Sequence, residues 1–250
     1  MDVWIEHIME PTRLILAWEA PKAFTDRKRW AVGEVMAGVK GATFRYYQGE
    51  EFLQANCNRP IADVLAAGYR GYPAFQPFDS KDVFRDRVLE SFRRRLPPAD
   101  RSDFGQYLQH FRLRPDTDLS PMALLAITGA KLPGDGFELV DTLSDTAAPF
   151  ELVMQVAGYR HNYQNALHLQ KGDAVELVAE PHNVHDPDAI AILADGQVIG
   201  HVNRLQAPAM GRLLREADIT AVLLRLNGTV DVPKAFVFIK ARSRSKQRAA

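Results

Sequence analysis

Residues 189–204 read Ala-Ile-Ala-Ile-Leu-Ala-Asp-Gly-Gln-Val-Ile-Gly-His-Val-Asn-Arg. Two short apolar runs, Ala189 to Leu193 and Val198 to Val202, flank Asp195-Gly196. That dipeptide tolerates the positive φ angles of a tight two-residue turn, so the stretch predicts a β-hairpin. Outward from it, Glu151 to Ala157 and Ala174 to Ala179 read as strands on the N-terminal side. On the C-terminal side, Leu205, Ala209, Leu213 and Met210, Leu214 recur at helical spacing within Leu205 to Glu216. Ile219 to Leu226 and Phe236 to Ile239 are again strand-like. The expectation is an all-β unit with one main helix.

Hydrogen-bonding side chains interrupt these runs at three places. Gly158-Tyr159-Arg160-His161 opens the stretch, Pro181-His182-Asn183-Val184-His185-Asp186-Pro187-Asp188-Ala189-Ile190 lies in its middle, and Gly200-His201-Val202-Asn203-Arg204 closes it. Arg160 and Arg204 carry guanidinium forks suited to phosphate oxygens. Asp186 would repel phosphate, which suits it instead to accept a terminal sugar hydroxyl. His161, His185, Tyr159 or Tyr163 offers a ring on which a base can stack, a contact worth about 1–3 kcal/mol when well placed. The competing reading is structural: Asp186 before Pro187 suits an Asx-turn, Asn183 a turn, and Gly158 and Gly200 special backbone geometry.

Upstream, Arg13 to Trp18, Arg29 to Met36 and Thr43 to Tyr47 predict an antiparallel meander. Ile61, Val64, Leu65 and Tyr69 share a helical face, and Tyr72-Pro73-Ala74-Phe75-Gln76-Pro77-Phe78 predicts an ordered aromatic loop. Asp79 or Ser80 is expected to cap a helix carrying Phe84, Val88 and Phe92, ended by Pro97-Pro98. Ser102 should cap a helix with Phe104, Leu108 and Phe111 on one face. A further helix from Ser120 and Pro121 to Thr128 should stop at Gly129, and Phe137 to Val140 is a short strand. Arg85, Arg87, Arg93, Arg94 and Arg95 are interspersed with Asp82, Asp86 and Glu90, the pattern of a solvated helix face. The polar run Asp141 to Pro149 is the natural boundary. It divides the chain into an α+β module at 1–145, a barrel at 150–240 and a basic tail at 241–250.

The sequence has 250 residues with 46% apolar and 25% charged content and zero formal net charge. That is ordinary for a water-soluble domain with a proper core, and a nucleic acid partner must then be held by a local patch. Cys57 is the single cysteine, so no internal disulfide or cysteine-based zinc site can be built. The first thirty residues lack an apolar signal core, and no run approaches the roughly 20 apolar residues of a membrane span. A cytoplasmic protein without a membrane partner is expected.

The three polar segments resemble the HIRAN family through a Gly-x-Arg start at Gly158, a Pro-x-Asn-x-x-Asp-x-x-Ala-Ile core at Pro181, and a Gly-His-x-x-Arg close at Gly200. The resemblance covers about Phe150 to Lys240. It implies a small OB-like β-barrel that grips single-stranded DNA, in the best-studied member at a free 3′ end. It also implies ligand contacts at Arg160, Asn183, Asp186, His201 and Arg204. His161 and His185 stand where that member has aromatic rings. In the N-terminal half, Gly33-Glu34-Val35, Phe44-Arg45-Tyr46 and Tyr72-Pro73-Ala74-Phe75 resemble the N-terminal subdomain of HipA-type kinases. The kinase's phosphate loop and catalytic signature are missing.

The expected fold is α+β, with N-terminal antiparallel strands plus helices and a C-terminal OB-like barrel. The expected function is binding of single-stranded DNA or 3′ ends, in DNA repair or defence against mobile DNA, without a cofactor or catalysis of its own. A helicase or nuclease would act in trans. One alternative is a protein-interaction or toxin-regulating module with the barrel as scaffold. Another is a metal-dependent hydrolase using His182, His185, Asp186 and His201.

Overall fold

Strand β1 (Arg13–Glu19) is buried along its whole middle and pairs antiparallel with β2 (Arg29–Gly38) on one side. On the other side it pairs with β4 (Phe137–Val140), and β3 (Gly41–Tyr46) completes a sheet in the order β3-β2-β1-β4. The computed structural model describes residues 3–21, 29–39, 41–229 and 231–244. Helices α1 (Gly49–Ala55), α2 (Ile61–Ala66), α3 (Val88–Arg93), α4 (Phe104–His110) and α5 (Pro121–Thr128) follow the first three strands. At α5 the expected signals operate: Ser120 Oγ accepts the Ala123 N–H at 3.0 Å, Pro121 stands at the first turn, and Gly129 closes the helix at φ 66°.

The aromatic loop is ordered around Tyr46. Its hydroxyl donates to the Phe75 carbonyl at 2.7 Å and accepts the Tyr72 N–H at 2.8 Å, so one side chain satisfies backbone groups in a proline-rich segment. Burial pushes the Tyr46 phenol up to about 12, against hydrogen bonds that lower it. Phe44 stacks on Phe75 with ring centroids 4.8 Å apart.

The helix expected from Asp79 or Ser80 does not form there. Phe84 lies in a β-bridge with Phe44, each accepting the other's N–H at 2.8–2.9 Å, and α3 begins only at Val88 after Arg87 at φ 49°. Ser80 Oγ instead takes the Asp82 N–H in a local turn. Arg95 also departs from the solvated face: its side chain is 8% exposed, paired with Asp135 at 2.6 Å and donating to the carbonyls of Ala130 and Phe137. Arg94 and Arg87 do face solvent, beside Glu90.

The second sheet has six strands: β5 (Phe150–Gln155), β6 (Ala174–Ala179), β7 (Ile190–Ala194), β8 (Gln197–His201), β9 (Ala217–Thr229) and β10 (Val232–Ser243). Every pairing is antiparallel, in the order β5-β10-β9-β6-β7-β8. Asp195 and Gly196 adopt φ 48° and 73°, the turn that the opening hairpin requires. Just beyond β5, Ala157 bridges His201 at the end of β8 through reciprocal N–H to carbonyl bonds of 2.8 and 2.9 Å. The two edge strands are thereby joined and the sheet closes into a barrel. Its interior is packed with Phe150, Ile190, Ile192, Ile199, Leu223 and Val237, among others. The main helix is α7 (Ala207–Glu216), whose Met210 and Leu213 enter the same core. A one-turn helix α6 (Tyr159–Asn162) and a 3-10 turn at Tyr163–Ala166 follow the bridge.

The chain forms two compact units. One comprises Glu10–Phe104 and Asp118–Thr142, the other Met1–Met9, Gly105–Thr117 and Leu143–Ala250. The barrel unit therefore recruits two segments that lie inside the 1–145 span of the sequence-based division. The basic tail is also shorter than expected. Ala241, Arg242 and Ser243 are the last residues of β10, and Arg244 donates to the Leu214 carbonyl, while 245–250 lie outside the described residues.

Candidate nucleic-acid interface

The three polar segments meet at the closed seam of the barrel. Gly200 allows the approach: a Cβ there would stand 2.5 Å from the Ala157 carbonyl oxygen and 2.5 Å from Val156 Cγ1, and its φ of 151° disfavours side chains. The backbone of Ala157 runs on through Gly158, at φ 71°, into α6. This places Arg160 and His161 on an exposed turn, with Arg160 Nε donating to His161 Nε2 at 3.0 Å.

The middle segment is a tight loop from Glu180 to Ala189. Glu180 N–H donates to the Ala189 carbonyl, Asn183 N–H to the Glu180 carbonyl, and Ala189 N–H to the Asp186 carbonyl. Asn183 Oδ1 accepts the N–H groups of His185 and Asp186 at 3.0 and 3.3 Å, and Asp186 Oδ1 accepts the Asp188 N–H at 2.9 Å. Both side chains thus shape the turn, as the structural reading of the sequence has it. Asn183 is better described as holding the loop than as reaching out of it.

Glu180, which the motif reading passed over, ties the segments together. Its Oε2 accepts the Asn183 amide at 3.0 Å and lies 3.0 Å from His201 Nε2. A carboxylate on Nε2 fixes the orientation of the imidazole and favours a proton on that nitrogen. The Glu180-x-x-Asn183 spacing at a strand end carries this signal in the sequence, but an acid argues against the phosphate contacts that the sequence leads one to expect there.

His201, Arg204, Asn183 and Asp186 are half-buried, whereas Arg160, His161 and His185 are exposed. Val184, at the loop tip, is 90% exposed. Arg204 follows Asn203, whose Oδ1 takes the Leu205 N–H and whose carbonyl accepts the Gln206 and Ala207 N–H groups at the start of α7. Of the four rings considered for stacking, Tyr159 is a core residue at 6% exposure and Tyr163 packs partly against that core. Burial raises the Tyr159 phenol pKa. The exposed rings are His161 and His185.

Among the described residues no three His, Cys, Asp or Glu side chains gather to hold an ion, and His201 is turned to Glu180. Also among the described residues, no helix is long and apolar enough to cross a membrane.

A closed antiparallel sheet of six strands places the C-terminal unit among the small β-barrels. Residues 149–234, in the C-terminal half of the chain, match the family model described as the HIRAN domain. The match supports a nucleic-acid-binding role. Among solved structures, the HIRAN domain of human HLTF is similar at 21% identity and TM-score 0.31, covering 36% of this chain and 74% of that one. A protein from Lactobacillus plantarum is similar at 19% identity and TM-score 0.30, covering 35% of this chain and 91% of that one. A search of curated proteins finds no match to this chain.

Proposed function

We propose that the barrel binds single-stranded DNA, with preference for a free 3′ end, across the seam between Ala157 and His201. The supporting observation is the convergence there of three segments, fastened by the Ala157–His201 bridge and by the Glu180 carboxylate shared between Asn183 and His201. Arg160 and Arg204 are the phosphate contacts of this reading, His161 and His185 the stacking rings, and Asp186 the acceptor for a terminal hydroxyl. Asn183 and Glu180 position the loop and His201. No step of catalysis is assigned to the chain. A helicase or nuclease in trans would use the bound end in repair or in defence against mobile DNA.

Fluorescence anisotropy with labelled oligonucleotides tests this. Phosphate-driven binding to a single strand weakens with salt at a slope of about 0.7 per phosphate contact, and Arg160→Gln with Arg204→Gln lowers both affinity and slope. Asp186→Ala reduces the preference for a 3′-hydroxyl over a 3′-phosphate. Absence of binding by the wild-type protein at low salt overturns the proposal, and an unchanged end preference in Asp186→Ala overturns the end-recognition part.

A further inference from the structure

A second concentration of positive charge lies in the barrel unit, outside the motif segments. Arg225 on β9 packs its guanidinium over the Phe236 ring, with Cζ 4.3 Å from the centroid, and its Nη1 donates to the His110 carbonyl at 2.7 Å. Its Nε is buried without a hydrogen-bond partner. Arg112 belongs to the Gly105–Thr117 segment of the same unit and has a left-handed backbone at φ 63°. Ile5 N–H holds the Arg112 carbonyl at 2.8 Å, and Arg112 Nε is likewise buried and unpartnered.

Among the described residues, no carboxylate forms an ion pair with Arg112 or Arg225. Burial lowers the pKa of Arg225, and Arg112 lowers it further by repulsion. Burial also lowers that of His110, followed by the charges of Arg225 and Arg112. The Phe236 ring and one carbonyl offset part of the cost of two half-buried guanidiniums, but neither supplies a negative charge. Two guanidiniums near enough to repel each other form a place to which an anion is attracted. Register places it: Arg225 pairs with Phe236, and Phe236 with Gln155, two residues before the bridging Ala157. Arg225 therefore lies toward the end of β5 from which the chain runs into the seam.

We propose that Arg112 and Arg225 form a phosphate-binding site, which takes either a backbone phosphodiester of the nucleic acid held at the seam or a free phosphate group. The nucleic-acid form rests on the proposed function; the free-phosphate form does not. Arg112 lies outside the span matched to the HIRAN domain, so the site would be assembled partly by the N-terminal half of this chain.

Two measurements on the full-length protein test the site. Inorganic pyrophosphate raises the melting temperature of the wild type above that in chloride of equal ionic strength, and Arg112→Gln removes the increment. In oligonucleotide titrations, Arg112→Gln reduces the salt slope by about 0.7. Arg225→Gln risks the packing on Phe236, so Arg225→Lys is the companion variant: it keeps the charge, loses the fork, and weakens both responses. If Arg160→Gln and Arg204→Gln abolish oligonucleotide binding while Arg112→Gln and Arg225→Lys change neither readout, this inference falls and the proposed function stands. If the wild type binds no oligonucleotide but shows an Arg112-dependent pyrophosphate response, the site stands as a free-phosphate site and the proposed function falls. A wild type that responds to neither ligand overturns both.

Discussion

Single residues decide whether the seam closes. At Gly200 any side chain meets the Ala157 carbonyl at 2.5 Å, and the backbone angle of 151° is one that other residues rarely adopt. Gly200→Ala is expected to destabilise the protein by about 1–3 kcal/mol, from local strain and forced separation at the bridge. Urea unfolding reads this as a lower midpoint with an unchanged slope, and a midpoint equal to the wild type rules the seam argument out. The elements that carry Arg160, Asn183, Asp186, His201 and Arg204 were legible, because these residues lie within short segments bounded by strand signals. Glu180 was not, since its role depends on a histidine twenty-one positions away. Arg112 and Arg225 were illegible for the same reason: two arginines 113 positions apart have no shared pattern in a linear chain.

At the scale of elements, the hairpin at Asp195-Gly196, the capped helix at Ser120 and most strands follow from local chemistry that acts within a few residues. Phe84 shows where such reading fails. Phe84, Val88 and Phe92 have helical spacing, yet Phe84 is held by a bridge to Phe44, so a long-range pairing overrides the period. Helix α1 was missed because Gly49-Glu50-Glu51 offers no side-chain cap. What secures it is Asn56 at its C-terminal end. The Asn56 side chain is fully buried, takes the Ala31 N–H at 2.9 Å, and donates to the carbonyls of Ala31 and Phe52 at 2.9 and 2.8 Å. Its amide continues the ladder of β2 beyond the last residue of β3, in place of a strand. Asn56→Ala leaves the Ala31 N–H and carbonyl unpaired and is expected to cost about 2–4 kcal/mol. A loss below 1 kcal/mol in denaturant titration counts against this role.

For the molecule as a whole, the barrel unit is assembled from three stretches of chain, and Glu151 on β5 shows how. Its side chain is fully buried, accepts the N–H groups of Glu6 and His7 at 3.1 and 3.0 Å, and contacts His7 Nδ1 and Lys240 Nζ. Burial alone would raise the carboxyl pKa, but the Lys240, His7 and backbone hydrogen bonds outweigh it and bring the value to about 2. A folded pKa below the ordinary 4.5 means stability that is complete above about pH 4.5 and lost as pH falls toward 2. The depression corresponds to about 3 kcal/mol. Glu151→Gln should therefore lower stability at neutral pH and flatten its decline in that acid window. A variant whose pH profile parallels the wild type would show that the N-terminal segment is not fastened there. The sequence-based boundary at Asp141 to Pro149 could not reveal this fastening, because residues 3–9 carry no strand or helix signal and are held by the Glu6 and His7 N–H groups and the His7 ring.

The other joints of the barrel are ladders of at least two register pairs, whereas the seam is a single reciprocal pair between Ala157 and His201. A ring with one such joint behaves as a clasp. Its two lips are joined by a single register pair where the other joints are ladders, and a ligand bound as proposed across both lips would hold them shut. Under the proposed function, residence time at the seam would report the rhythm of the clasp as much as the strength of the contacts, with the amides of Ala157 and His201 as the natural clock for both.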